Sequence, residues 1–202
     1  GVVIQLSMQF SGIDAVFYYS TMVFRQAGLA DPQLATTLLG VLNVGLTVVA
    51  IAIMDKAGRR TLLLISWAGM ATSYMLLTIS FVCASFGVLG SAVDSIAPLA
   101  MAGVITSFAI GPGCIAWFVI AEIFPAYAID AAMALGVALN WWANWVVAFA
   151  FPLLNRMLGP YSFLLFAAST VGFGLFTYWS VPETRLKTAS EMHAEFRAYS
   201  LS

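Results

Sequence analysis

Five stretches of this chain carry no charged side chain: Pro32 to Met54, Thr61 to Val93, Ser95 to Ala121, Ala131 to Asn155 and Tyr161 to Val181. A helix needs about 20 apolar residues to cross the hydrocarbon core of a bilayer. Each stretch is long enough for one crossing and too short for two. Gly1 to Val23 makes a sixth, interrupted only by Asp14. The stretches lack the short alternating pattern of barrel strands, so they predict helices. The spacing places six spans at 2–25, 35–54, 61–83, 96–120, 131–153 and 161–181. Only 8% of the 202 residues are charged, against about 25% in a soluble domain, which excludes a water-soluble enzyme. The net charge is −1 with no basic cluster, which excludes the cationic footprint of nucleic-acid binding.

The segments between spans fit this reading. Ala27 to Gln33 holds Gly28, Asp31 and Pro32; Asp55 to Arg60 is a tight charged link; Ala84 to Asp94 is rich in glycine and serine; Glu122 to Asp130 contains Pro125; Asn155 to Pro160 holds Arg156 and Gly159. Residues 1–185 form one transmembrane bundle, and 186–202 read as a polar cytoplasmic tail. With six spans, both termini share a side with Lys56, Arg59, Arg60, Arg185, Lys187 and Arg197, and only Arg25 and Arg156 lie opposite. The excess of positive charge on cytoplasmic loops then places both termini in the cytoplasm. Cys83 and Cys114 fall inside spans, far from the single histidine, so no disulfide, metal site or cofactor is expected. The chain starts on Gly1 and is apolar at once, which reads as a cut boundary within something longer.

Polar residues inside spans are costly and need a reason. The first span carries Gln5, Ser7, Gln9, Ser11 and Asp14. At 100° per residue Gln5 and Gln9 share a face, and Asp14 points well away from it on a continuous helix. Ser11-Gly12 lies between them and offers a place to unwind. Two explanations stay open: a broken helix around a central site, or amides and hydroxyls gluing neighbouring helices together. The fourth span contains Gly111-Pro112-Gly113, where a kink is expected, with Phe108 before it and Trp117 after it. The fifth carries Asn140 and Asn144 on one face, flanked by Trp141, Trp142 and Trp145, and Asn43 lies mid-span in the second. Amides match sugar hydroxyls in offering donors and acceptors, and tryptophan offers a face for a sugar ring. Only Asp14 is formally charged in this interior, so the set suggests a neutral polyhydroxy ligand. Asp14 itself reads either as an acceptor for ligand hydroxyls or as a proton carrier.

Taken together these residues resemble the facilitative sugar transporters of the major facilitator superfamily, in their C-terminal half, spans seven to twelve. The run from Gln5 to Ser20 is similar to that family's seventh-helix motif. Asp55 to Arg60 resembles its acidic-x-x-Gly-Arg-Arg loop, Gly111 to Pro125 its tenth-helix motif, Asn140-Trp141 its Asn-Trp pair, and Pro182-Glu183-Thr184 its Pro-Glu-Thr element. The resemblance implies an all-α membrane protein: six transmembrane helices, two inverted three-helix repeats, one half of a major facilitator fold. It implies sugar contacts at Gln9, Asn43, Trp117 and Asn144, with Asp14 where the family has asparagine, and aromatic lining at Phe108 and Trp141. Gln5-Leu6-Ser7 matches a motif associated with glucose acceptance over fructose, Tyr18 and Tyr19 match the extracellular gate, and Asp55, Arg59, Arg60, Glu122 and Glu183 match a cytoplasmic salt-bridge cluster.

The chain departs from the family pattern in several places. Met8 stands for a sugar-contacting glutamine, Cys114 and Ala116 for two prolines, and Ala126 to Asp130 lacks the expected basic residue. Arg185-Leu186 replaces Lys-Gly. The expected function is passage of a hexose, D-glucose first, by alternating access in the plasma membrane, with no covalent chemistry. Alternating access needs two bundles, so the expected partners are the hexose, the lipid bilayer, and a missing N-terminal six-helix half or a second copy. The competing readings are a non-transporting sugar-binding or structural membrane module, and proton-coupled sugar symport.

Overall fold

The structure, a computed structural model, describes residues 1–87, 93–181 and 183, without the side chains of Asp55, Val93, Asp94, Glu122 and Ile123. Its first span is two helices, α1 (Val2–Phe10) and α2 (Ile13–Ala27), and its second and third are α3 (Pro32–Ala57) and α4 (Arg59–Ser85). The fourth is again two pieces, α5 (Val93–Ile110) and α6 (Pro112–Ile123). The fifth and sixth are α7 (Ala126–Leu158) and α8 (Ser162–Ser180), joined by the 3-10 turn Gly159–Tyr161. No strand occurs among the described residues. Helical stretches long and apolar enough to cross a membrane run over Pro32–Met54, Arg59–Ser85, Ser95–Ala121, which holds α5 and α6, and Ala126–Ser180, which holds α7 and α8. The first span is missing from that set because its break leaves pieces of 9 and 15 residues.

Helix ends follow local chemistry. Pro32 opens α3 at a position where a missing N–H costs nothing, and the Asp31 carboxylate accepts from the Leu34 amide at 3.0 Å. Helix α7 starts earlier and ends later than the predicted 131–153, so Asp130 is helical rather than in a connection. A helix stops where its caps stop it, here Pro125 and Gly159, and not at the edge of the apolar run.

The two groups of three spans pack alike: α1 lies against α7, and α5 lies against α3. Helix α4 sits between α5 and α8. The α4–α5 contact is a zipper of small residues. Ser107 fills the space over Gly69, Ser73 that over Gly103, and Ser66 that over Gly111; a Cβ on Gly103 would stand 2.5 Å from the Ser73 hydroxyl. In a bilayer lipid tails are as apolar as leucine, so helices associate through such close packing and not through expulsion of water. Ser66 Oγ has no hydrogen-bond partner among the described residues, so its role is to be small. Behind the first span, the rings of Tyr19, Tyr74, Phe81, Phe151, Phe163 and Phe166 form one aromatic cluster with centroids 5.1–6.5 Å apart. Helix α3, in contrast, turns Leu34, Leu38, Val41, Val44 and Val48 outward, as a lipid-facing helix does.

Candidate functional site

The first span cannot stay continuous at Ser11-Gly12. Gly12 has φ +83°, and a Cβ there would run into the Phe166 ring. Only glycine meets both conditions at little cost. The break rotates α2 relative to α1, and its consequence is specific: Gln9 and Asp14, which a straight helix would aim apart, both reach Asn144 on α7. Asn144 Nδ2 donates to Asp14 Oδ2 at 2.5 Å and stands 3.4 Å from Gln9 Oε1 and from the Tyr18 hydroxyl.

This junction continues along α7. Gln9 Nε2 donates to Asn140 Oδ1 at 3.0 Å, and Asn140 Nδ2 reaches the Gln5 carbonyl at 3.1 Å and Gln5 Oε1 at 3.2 Å. Gln5 Nε2 donates in turn to the Ala116 carbonyl of α6 at 3.0 Å. The result is one polar seam, Ala116–Gln5–Asn140–Gln9–Asn144–Asp14–Tyr18, joining the first, fourth and fifth spans. Gln5, Gln9 and Asn140 are buried, Asp14 and Asn144 half-buried, and Tyr18 is exposed. The seam therefore opens from a sealed end to an accessible one. Amides with both donors and acceptors make up its length, and Asp14 is its single carboxylate.

Asn140 is central to the seam, although the resemblance implied a sugar contact for Asn144 and only a motif match for Asn140. The signal was present: Gln5 and Gln9 on one helix and Asn140 and Asn144 on another share the same four-residue step, which lets two amide rows interlock. Met8 is buried, with its sulfur 3.6 Å from Asn140 Nδ2. It thus meets the seam only as a weak acceptor.

The other expected residues are placed differently. Tyr19 points away from Tyr18: its hydroxyl donates to the Ala148 carbonyl at 2.9 Å and its ring packs on Phe151. Phe108 lies over Gly113 at the second break, and Phe108 and Trp117 pack partly buried on the core. Trp141 is exposed. Asn43 is half-buried on α3 and its amide makes no hydrogen bond among the described residues. The structure thus brings Gln5, Gln9, Asp14, Tyr18 and Asn144 together, and leaves Asn43, Phe108, Trp117 and Trp141 outside the hydrogen-bonded set.

At the opposite end of α3 and α4 lies the charged turn. The Glu183 carboxylate accepts from the backbone amides of Arg59 at 2.8 Å and Arg60 at 3.2 Å, capping the start of α4. A negative group suits the positive end of the helix dipole. Gly58 has φ +85° and ψ 146°, a conformation other residues essentially avoid, and a Cβ there would lie 2.6 Å from Glu183 Oε2. The Arg60 guanidinium donates to the Tyr178 carbonyl and lies 5.5 Å from the centre of its ring. Arg59 Nη1 donates to the Met54 carbonyl. The expected partners Asp55 and Glu122 have side chains outside the described residues, as does the whole of the tail 186–202. No group of three potential metal ligands occurs among the described residues.

Comparison with known proteins gives a consistent picture. The family described as "Sugar (and other) transporter" matches residues 1–196. The mouse facilitated glucose transporter member 4 of solute carrier family 2 is 42% identical over 196 residues, 97% of this chain and 38% of that protein. The rabbit facilitated glucose transporter member 3 is 41% identical, over 96% of this chain and 39% of its own length. Among solved structures, the proton:xylose symporter XylE bound to 6-bromo-6-deoxy-D-glucose superimposes with a TM-score of 0.82 at 33% identity, covering 96% of this chain and 41% of that one. The inward-open XylE of E. coli gives 0.81 over 96% and 40%. The chain thus spans about two fifths of the length of the relatives it matches.

Proposed function

Because this chain belongs to the sugar transporter family of the major facilitator superfamily, an integral-membrane family of transporters and not of enzymes, we propose that it supplies the C-terminal half of a hexose site, with D-glucose the first substrate to test. The observation that carries this reading is the polar seam. Its neutral amides pair with each other when no ligand is present and can exchange those bonds one for one with sugar hydroxyls. A ligand recruited this way leaves no buried amide unpaired, which is what discrimination between hydroxylated and deoxygenated ligands requires. Gln5, Gln9, Asn43 and Asn144 donate and accept, Asp14 accepts, Trp117 packs against the ring, and Phe108 and Trp141 line the cavity formed with the opposing half. Tyr18 and Tyr19 close the outer end, and the Asp55, Arg59, Arg60, Glu122 and Glu183 cluster holds the cytoplasmic end. The glucose transporters among the relatives support facilitated passage by alternating access. Movement across the membrane needs the N-terminal six-helix half or a second copy as the facing wall. In this reading the protein resides in the plasma membrane, residues 1–185 form the bundle, and both termini, with the tail 186–202, face the cytoplasm.

The test is D-glucose binding to the purified chain in detergent, followed by tryptophan fluorescence, with fructose as competitor and Trp117→Ala and Asn144→Ala as controls. Saturable binding that both variants weaken by tenfold or more is expected. Absence of binding at tens of millimolar glucose, in a preparation whose helices are intact by circular dichroism, would sink the sugar-site reading for the isolated half and leave a structural module.

One observation favours proton coupling as a second reading: Asp14 lies in the seam, and the superimposed structures include a protein named as a proton:xylose symporter. Uptake into proteoliposomes by this half joined to a complementary N-terminal half separates the two. Facilitated passage gives no accumulation under an imposed pH gradient. Proton coupling gives accumulation that Asp14→Asn abolishes.

A further inference from the structure

A helix that ends leaves its last four carbonyls without intrahelical partners. For α1 these belong to Ser7, Met8, Gln9 and Phe10, in the middle of a membrane span. The Ser7 carbonyl accepts from the Ser11 amide at 3.0 Å, that of Gln9 from the Gly12 amide at 3.0 Å, and that of Met8 from the Ser11 hydroxyl. Three of the four are therefore satisfied by the break itself. The fourth is not: the Phe10 carbonyl accepts from the Ser169 hydroxyl of α8 at 2.7 Å. One turn earlier on α8, Phe166 fills the space where a Cβ of Gly12 would stand. Two α8 side chains, three residues apart and so on one face, thus contact the break at its orphaned carbonyl and at its left-handed residue.

Ser169 has a second acceptor within reach. Its hydroxyl also stands 2.9 Å from the Phe166 carbonyl of its own helix, and one hydroxyl carries one proton. The proton can serve the Phe10 carbonyl or return to α8, and in the second position α8 is left with no unsatisfied group. Returning the proton to α8 strands the Phe10 carbonyl in the middle of a span, at a cost of about 1–3 kcal/mol, so the tethered position is the favoured one.

We propose that Ser169, seated beside Phe166, is a positioning residue for the sugar site: a tether that sets the angle between α1 and α2, and with it the spacing of Gln9 and Asp14 around Asn144. The proposal rests on the hexose-site reading for its functional consequence, and on the break alone for its structural claim.

The experiment is hydrogen–deuterium exchange on the whole chain in lipid nanodiscs, with and without D-glucose, for the unaltered protein, Ser169→Ala and Ser169→Thr. In Ser169→Ala, amides 12–16 exchange at least fivefold faster while those of α4 are unchanged. In Ser169→Thr, which keeps the hydroxyl, they return to within twofold of the unaltered protein. The tether is overturned if Ser169→Ala leaves the break unchanged, if threonine behaves like alanine, or if faster exchange spreads into α4 as general loosening. The glucose arm tests the other reading separately. Slower exchange at the break on adding glucose, with weaker binding in Ser169→Ala, supports both claims. An unaltered protein indifferent to glucose, with the alanine effect still confined to the break, removes the sugar site and leaves the tether standing.

Discussion

The two interrupted spans occupy corresponding places in the two groups of three helices, yet they are held by opposite means. The α1–α2 break is surrounded by hydrogen bonds: an amide seam toward α7 on one side and the Ser169 hydroxyl on the other. The α5–α6 break sits at the end of a zipper of glycines and serines, pressed against α4, where Ser66 has no polar partner among the described residues. In the first, polar groups are arranged so that bonds can be exchanged. In the second, serine side chains fill the space over glycines so closely that little can change without separating the helices. Similar symmetry of path thus coexists with a division of labour, one break adjustable and chemical, the other fixed and steric.

That contrast breaks most visibly through volume at the second site. Gly69→Leu or Gly103→Leu inserts a side chain where a serine already sits, and overpacking of this kind costs about 1–3 kcal/mol or more. The expected result is the largest fall in thermal midpoint of any single change, or loss of monodisperse protein on size-exclusion chromatography. Ser66→Ala, which removes an unpaired hydroxyl without adding volume, is expected to leave the midpoint within error, and a large loss there would contradict the steric account. Gly12→Ala comes next. The left-handed conformation costs an alanine about 1–2 kcal/mol before the collision with Phe166 is counted, and Phe166→Leu in the same chain is expected to recover part of the lost midpoint by relieving that collision only.

Asn140→Leu probes the chemical site. It strands the Gln9 amide and a Gln5 acceptor in a buried place, a loss of about 1–3 kcal/mol, and is expected to weaken glucose binding more than it lowers the midpoint of unfolding. A fall in stability with binding intact would place the ligand elsewhere. Glu183→Gln removes a charge from the start of α4 and is expected to cost about 0.3–1 kcal/mol, read as a small midpoint shift that 0.5 M salt reduces. The smallest expected effect is that of Asp14→Asn. The replacement still offers Asn144 an acceptor, so stability changes by less than about 0.5 kcal/mol and glucose binding is preserved or strengthened, with less dependence on pH. A tenfold loss of binding would contradict a plain hydroxyl contact.

Much of this was legible in the chain. Uncharged runs placed the six spans, and Gly111-Pro112-Gly113 marked the second break; Asp31-Pro32, read as part of a connection, instead caps and opens α3. What sequence could not supply was mutual geometry. The 100° rule sends Asp14 away from Gln9, and only the left-handed Gly12 brings it back to Asn144. Asn140 and Asn144 are equivalent by spacing, and only packing against α1 makes the first the centre of the seam. Ser169 is one of many small residues on α8 until Phe10 is known to lack a partner. The serines and glycines of α4 and α5 sit at three- and four-residue steps that match only once the two helices are paired. Each miss concerns a contact between segments far apart in the chain, where periodicity carries no information.

The carboxylate on the first turn of α4 has a consequence for how the protein is made. Its owner, Glu183, lies 124 residues downstream of the amide it caps. At a synthesis rate of about 5–20 residues per second, α4 enters the membrane some 6–25 s (about that interval at those rates) before its cap exists. The third span must therefore wait, open at its charged end, until the sixth has been threaded. Closure of that clasp is a late event that ties the sixth span to the third.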